Sequence, residues 1–166
     1  MLIVLQNIIR FVVLVSVQVL ILNNIQFLGY INPYLYIYFI LSLPVRVPRW
    51  AVLVLAFMLG LLIDMFSNTM GLHAFATVFV AFVRNPAINL LTSIDEGVDP
   101  EPSVISFGWM AYLRYFVSLV LLHNILLFTL ESFSFVNIGI IFLKTLLSSI
   151  VTSVLILAIQ MLKKRK

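Results

Sequence analysis

Apolar residues run along this chain in long unbroken blocks, and polar residues mark their ends. The first block is Met1 to about Leu22, closed by Asn23 and Asn24. The second runs from about Phe27 to Leu43 and is closed by Pro44. A helix that crosses a bilayer needs roughly 20 apolar residues. On that measure the blocks predict spans at about 1–22, 27–43, 50–66, 70–83, 107–130 and 135–162. Barrel strands would alternate apolar and polar residues, which these blocks do not. Pro33 predicts a loose or interfacial first turn for the second span. If that segment is re-entrant, the count is five instead of six.

Composition strengthens this picture. Of 166 residues, 63% are hydrophobic and only 10% charged, and the mean hydropathy is +1.19. Soluble domains run near 45–50% apolar and about 25% charged. A soluble fold of this length lacks the interior to hide so much apolar surface. The expected fold class is therefore all-α: a single polytopic membrane domain. The net charge of +4 does not indicate nucleic acid. Four of the ten basic residues form the tail Lys163–Lys166 and the others are scattered between apolar blocks, a distribution suited to topology and anionic headgroups. There is no cysteine, hence no disulfide framework or thiolate chemistry. The apolar start at Met1–Leu5, with no basic n-region, reads as a retained first helix and not a cleaved signal peptide.

Charge also sets the expected orientation. Arg46 and Arg49 lie between spans two and three, Arg84 follows span four, and the 163–166 tail follows span six. With six spans these all fall on one side, and the links on the other side contain no Lys or Arg. The positive-inside bias then places both termini in the cytoplasm. The stretch 84–106 holds Asp95, Glu96, Asp99 and Glu101 with three prolines, and reads as a cytoplasmic loop too short for a core of its own.

Polar residues inside the apolar blocks are the candidate chemistry, because charge in a bilayer costs about 2.5–3.5 kcal/mol at a helix centre. Asp64 closes span three and His73 opens span four, so a hairpin brings them within reach. They form either a proton-relay or ligand pair, or a helix-pairing contact in which Asp64 caps the link at Ser67, Asn68 or Thr69; the second is favoured, since one Asp and one His lack the rest of a site. Gly60, Gly71 and Ala74 are small enough for close helix approach. His123 and Asn124 lie on span five with Glu131, and interhelical hydrogen bonding is their favoured use. Two histidines in the whole chain make a zinc site improbable. Lys144 either snorkels or pairs with Asp64 or Glu131. Asn7, Arg10 and Gln18 form a polar stripe on span one, which suggests contact with protein and not lipid. Tyr34, Tyr36 and Tyr38 alternate, so on a helix they point different ways. No nucleotide, metallohydrolase or nucleophile-elbow motif occurs, and neither cofactor nor catalytic residue is expected.

One ordered pattern goes further. Asn32-Pro33-Tyr-Leu-Tyr-Ile-Tyr-Phe-Ile-Leu-Ser-Leu-Pro44 is followed by Arg46, then Gly60-Leu-Leu-Ile-Asp64, a Ser67-Asn-Thr-Met link, and Gly71-Leu-His73-Ala74. This order resembles the rod shape-determining MreD family, with Met70 where that family has Leu. The segment Leu122–Phe133 is also similar to the fifth-span region of one branch of it. The resemblance implies a non-enzymatic subunit of the cell-elongation machinery in the bacterial inner membrane. It implies association with MreC, and through it with MreB, RodA and a class B penicillin-binding protein. It also implies a fold shared with the substrate-binding subunits of energy-coupling-factor vitamin transporters, so a small-molecule-binding membrane subunit is the alternative function. An intramembrane enzyme is the third class, with only Asp64, His73, His123 and Glu131 as material. On the scaffold reading, Gly60, Asp64, Gly71 and His73 form the structural centre, with Pro33 and Pro44 bounding the second span. Arg46, Arg49 and the 84–106 loop are then the cytoplasmic contacts.

Overall fold

The computed structural model describes residues 2–25, 31–92, 101–132 and 138–164. The chain is an all-α membrane protein, with no strand among the described residues. Its helices are α1 (Leu2–Leu20), α2 (Tyr38–Ser42), α3 (Arg49–Ser67), α4 (Leu72–Leu91), α5 (Val104–Phe107), α6 (Trp109–Ser132) and α7 (Ile138–Lys164). Five of them, α1, α3, α4, α6 and α7, are long and apolar enough to cross a bilayer. The closest packing is between α3 and α4, and α6 lies against both α4 and α7. Large apolar side chains such as Ile8, Val12, Phe57, Phe82 and Phe142 face outward. Lipid tails solvate such a surface, so it is ordinary here and would be a liability in water.

The second predicted span is not a membrane-length helix. Residues 31–34 carry no helix, Leu35–Ile37 form a 3₁₀ turn, and α2 adds little more than one turn. Yet this segment is the most buried part of the molecule, with every residue from Pro33 to Leu43 inside. Near its start it bonds to Gln18, whose other partner is Asn23; Asn23 in turn bonds Ser67 at the end of α3. At its finish it meets Arg10 and Arg84. It therefore passes through the bundle from the Ser67 end to the opposite end. Extended and 3₁₀ backbone advance by about 3.3 and 2.0 Å per residue against 1.5 Å in an α-helix, so a short segment covers the distance. The described residues traverse the bundle six times, five times as a long helix and once as this broken element.

Two other expectations shift. Span four does not stop at Val83: α4 continues to Leu91 with Pro86 inside it, so Arg84 belongs to a helix and not to a loop. Membrane helices tolerate an interior proline where neighbours satisfy the freed groups. Of the expected 84–106 loop, residues 93–100, including Asp95, Glu96 and Asp99, lie outside the described residues. The rest holds α5, begun by a Ser103–Ser106 capping box, and a break at Gly108 (φ 78°) before α6. At this end Glu101 accepts from Arg10 of α1 (3.2 Å) and Lys163 of α7 (2.5 Å). The middle of α1, at Arg10, and the finish of α7, at Lys163, are thus joined through Glu101 on one side of the bundle. Arg46 and Arg49 are exposed on that same side.

Candidate functional site

Non-helical backbone at membrane depth is tolerated only where other groups in the protein satisfy it. The crossing at 31–43 meets that demand through side chains from four helices. On its incoming half, the Asn32 and Tyr34 N–H groups donate to Ser148 Oγ (3.1 Å) and Thr152 Oγ1 (3.0 Å) of α7. Gln18 of α1 accepts from the N–H groups of Leu35 (2.8 Å) and Tyr36 (3.3 Å) and donates to the carbonyl of Pro33 (3.0 Å). On the outgoing half, the last carbonyls of α2 have no helical partner. Tyr115 Oη donates to Leu41 O (3.0 Å), Arg10 to Ser42 O (3.3 Å), and Arg84 to Leu43 O and Pro44 O. Cations at a helix C-terminus also meet its negative dipole end. Arg84 is fully buried, and these carbonyls explain how its charge is held there.

Tyr34 and Tyr36 do not point different ways, because the backbone that carries them is extended and 3₁₀ and not α-helical. Tyr34 and Tyr36 lie 6.2 Å apart, edge to face, and both rings contact His73 and His123. Tyr36 Oη is 2.8 Å from His123 Nε2, His123 Nδ1 is 3.2 Å from Asn124 Oδ1, and Asn124 Nδ2 donates to Ser149 Oγ at 2.9 Å. With the Asn124 amide nitrogen donating to Ser149, its oxygen accepts from the His123 Nδ1–H, and Nε2 accepts from the Tyr36 hydroxyl. Farther along, Gln160 Nε2 donates to Tyr38 Oη at 3.0 Å. His123 and Asn124 thus tie α6 to the crossing and to α7.

The α3–α4 hairpin holds the remaining candidates. Asn68 takes the left-handed conformation (φ 53°) that ends α3, and Gly71 (φ 80°) precedes α4. Asp64 then lies beside the start of α4. Its carboxylate accepts from the His73 N–H (3.0 Å), the Ala74 N–H (2.8 Å) and the Thr69 hydroxyl (2.5 Å). It fills the anion-favouring N-terminus of α4 from the preceding helix. His73 Nδ1 sits 3.6 Å from the same carboxylate, too far for a hydrogen bond. Asp64 engages this link and not Lys144. A Cβ on Gly60 would stand 2.4 Å from Ala74 Cα and 2.7 Å from its nitrogen, so only glycine lets the two backbones meet here.

Between the hairpin and the crossing, a cavity of about 320 Å³ opens at the Ser67 end. Gln18, Asn23, Asn32, Tyr34, His73 and Glu131 are among its walls. Among the described residues, no three His, Cys, Asp or Glu side chains converge as a metal would require. The residues that sequence reasoning passed over are Arg84, Ser148, Ser149, Thr152 and Gln160. The last four had a visible signal, since Ser149, Ser148 and Gln160 stand three, four and eight residues from Thr152 and so share one face of α7. Arg84 had none, because a basic residue after an apolar block reads as the end of a span. No protein-family model, curated protein or solved structure matches the chain.

Proposed function

We propose that this chain is a non-enzymatic scaffold subunit of the bacterial cell-elongation complex, resident in the inner membrane with both termini cytoplasmic, and that it acts by binding an MreC-type partner. The carrying observation is the use made of the motif residues. Gly60, Asp64, Gly71, His73 and Ala74, which bear the resemblance to the MreD family, form one packed hairpin, and Asp64 is occupied in capping it. The polar side chains around the crossing are likewise engaged in satisfying its backbone, which suits a rigid body that works through its surface. The gathering of Arg46, Arg49 and Lys163 at the Glu101 end supports placing that end in the cytoplasm.

The binding surface in this reading is the outer face of α3 and α4. A shallow groove there is lined by Leu53, Phe57, Leu61, Ala74, Phe75 and Phe79, with Phe75 and Phe79 stacked at 6.4 Å. Small residues on its floor let a partner helix approach closely. MreB, RodA and the penicillin-binding protein would join through that partner. The test is mild crosslinking in native membranes, gentle solubilisation and mass spectrometry of what co-purifies, with a photo-reactive residue at position 79 and a control at position 13 on α1. Recovery of MreC, RodA or the penicillin-binding protein from position 79 is the expected outcome. Co-purification of an ATPase pair with a coupling membrane subunit would replace this reading with transport.

A further inference from the structure

The cavity at the Ser67 end combines polar walls with open space. At about 320 Å³ it sits at the lower edge of small-molecule sites, which run about 300–1,000 Å³. None of its described lining residues is Lys or Arg, and Glu131 is the acidic one. A second carboxylate, Asp64, stands directly behind the His73 wall. The N-terminus of α4 would attract an anion, but Asp64 already fills it. The wall therefore carries negative and no positive formal charge, which disfavours a carboxylate or phosphate. Tyr34 and Phe66 add aromatic surface, and aromatic faces attract cations. Asn24 and Asn32 supply amide oxygens able to accept from an ammonium or guanidinium group.

We propose that this cavity binds a small organic cation, a primary amine or guanidinium of about ten non-hydrogen atoms by volume, with Glu131 as its counter-charge and Tyr34 as its aromatic wall. The role is separate from partner binding, and the two can succeed or fail independently. The test is calorimetric titration of the full chain in lipid nanodiscs with agmatine, putrescine and tyramine, with pentane-1,5-diol and glutarate as neutral and anionic comparators. At least one amine is expected to bind saturably, one per chain, and to bind on the order of tenfold more weakly to Glu131→Gln. Glu131 is exposed at the end of α6, so this variant leaves the fold intact, which an unchanged melting temperature without ligand verifies. Absence of saturable binding by all three amines at millimolar concentration overturns the proposal. So does equal affinity for Glu131→Gln, or binding of glutarate as tight as that of the amines.

Discussion

The α3–α4 hairpin and the crossing at 31–43 face the same problem, backbone groups without helical partners deep in a membrane protein, and solve it at different ranges. In the hairpin the donors at the start of α4 are met by Asp64, nine and ten residues earlier. In the crossing the partners lie from 15 to 118 residues away, on α1, α4, α6 and α7. The hairpin closes on itself and needs only its own sequence. The crossing exists only when the other helices surround it. A local cap shows in a short motif, whereas a distributed one is spread over single polar residues that each look incidental.

Removing Gln18 should break this contrast most severely. Gln18→Leu strands two N–H groups and one carbonyl inside the protein, at about 1–3 kcal/mol each, and should lower stability in reversible detergent unfolding by about 3 kcal/mol or more. Gln18→Glu keeps the acceptor for Leu35 and Tyr36 and should recover part of that loss. A loss below about 1 kcal/mol for Gln18→Leu would mean that the crossing does not depend on its distant partners.

Gly60→Ala comes next, at about 1–3 kcal/mol from overpacking. The clash is with Ala74 Cα and N, so adding Ala74→Gly should give no rescue; full recovery in the double variant would place the contact at the side chain instead. Asp64→Leu should cost about 2 kcal/mol through the stranded donors at the start of α4. Asp64→Asn should cost less, since one oxygen remains to accept. Equal losses in the two variants, measured by the same unfolding assay, would count against the cap.

The smallest effect belongs to the clasp at the Glu101 end. Burial alone would raise the Glu101 carboxyl, but Lys163 and Arg10 outweigh it and hold its pKa below the ordinary 4.5. A depressed carboxyl contributes fully above its unfolded pKa and loses that contribution as pH falls through the folded value. Stability should therefore be flat above about pH 4.5 and decline below it, with Glu101→Gln removing that part of the slope. The size should stay under about 1 kcal/mol, since the pair is partly exposed. A pH profile identical in the variant would show that the clasp carries no coupling.

The hairpin was legible from Gly60, Asp64, Gly71 and His73, because its contacts are short in sequence and its residue types are few. The polar stripe on α7 was visible as a pattern, but its target was not. Arg84 misled, since a basic residue at the edge of an apolar block reads as a boundary, and hydropathy cannot see carbonyls left over from a distant short helix.

Apolar blocks of bilayer length were enough to establish a helical membrane protein, because each long helix satisfies its own backbone and needs only lipid or protein around it. They were not enough for the second block, which is also predominantly apolar. There Pro33 and the packing of four other helices favour a broken path over a continuous helix. Side chains scattered through the rest of the chain supply the hydrogen bonds that the path lacks, and their convergence on it is a property of the assembled bundle.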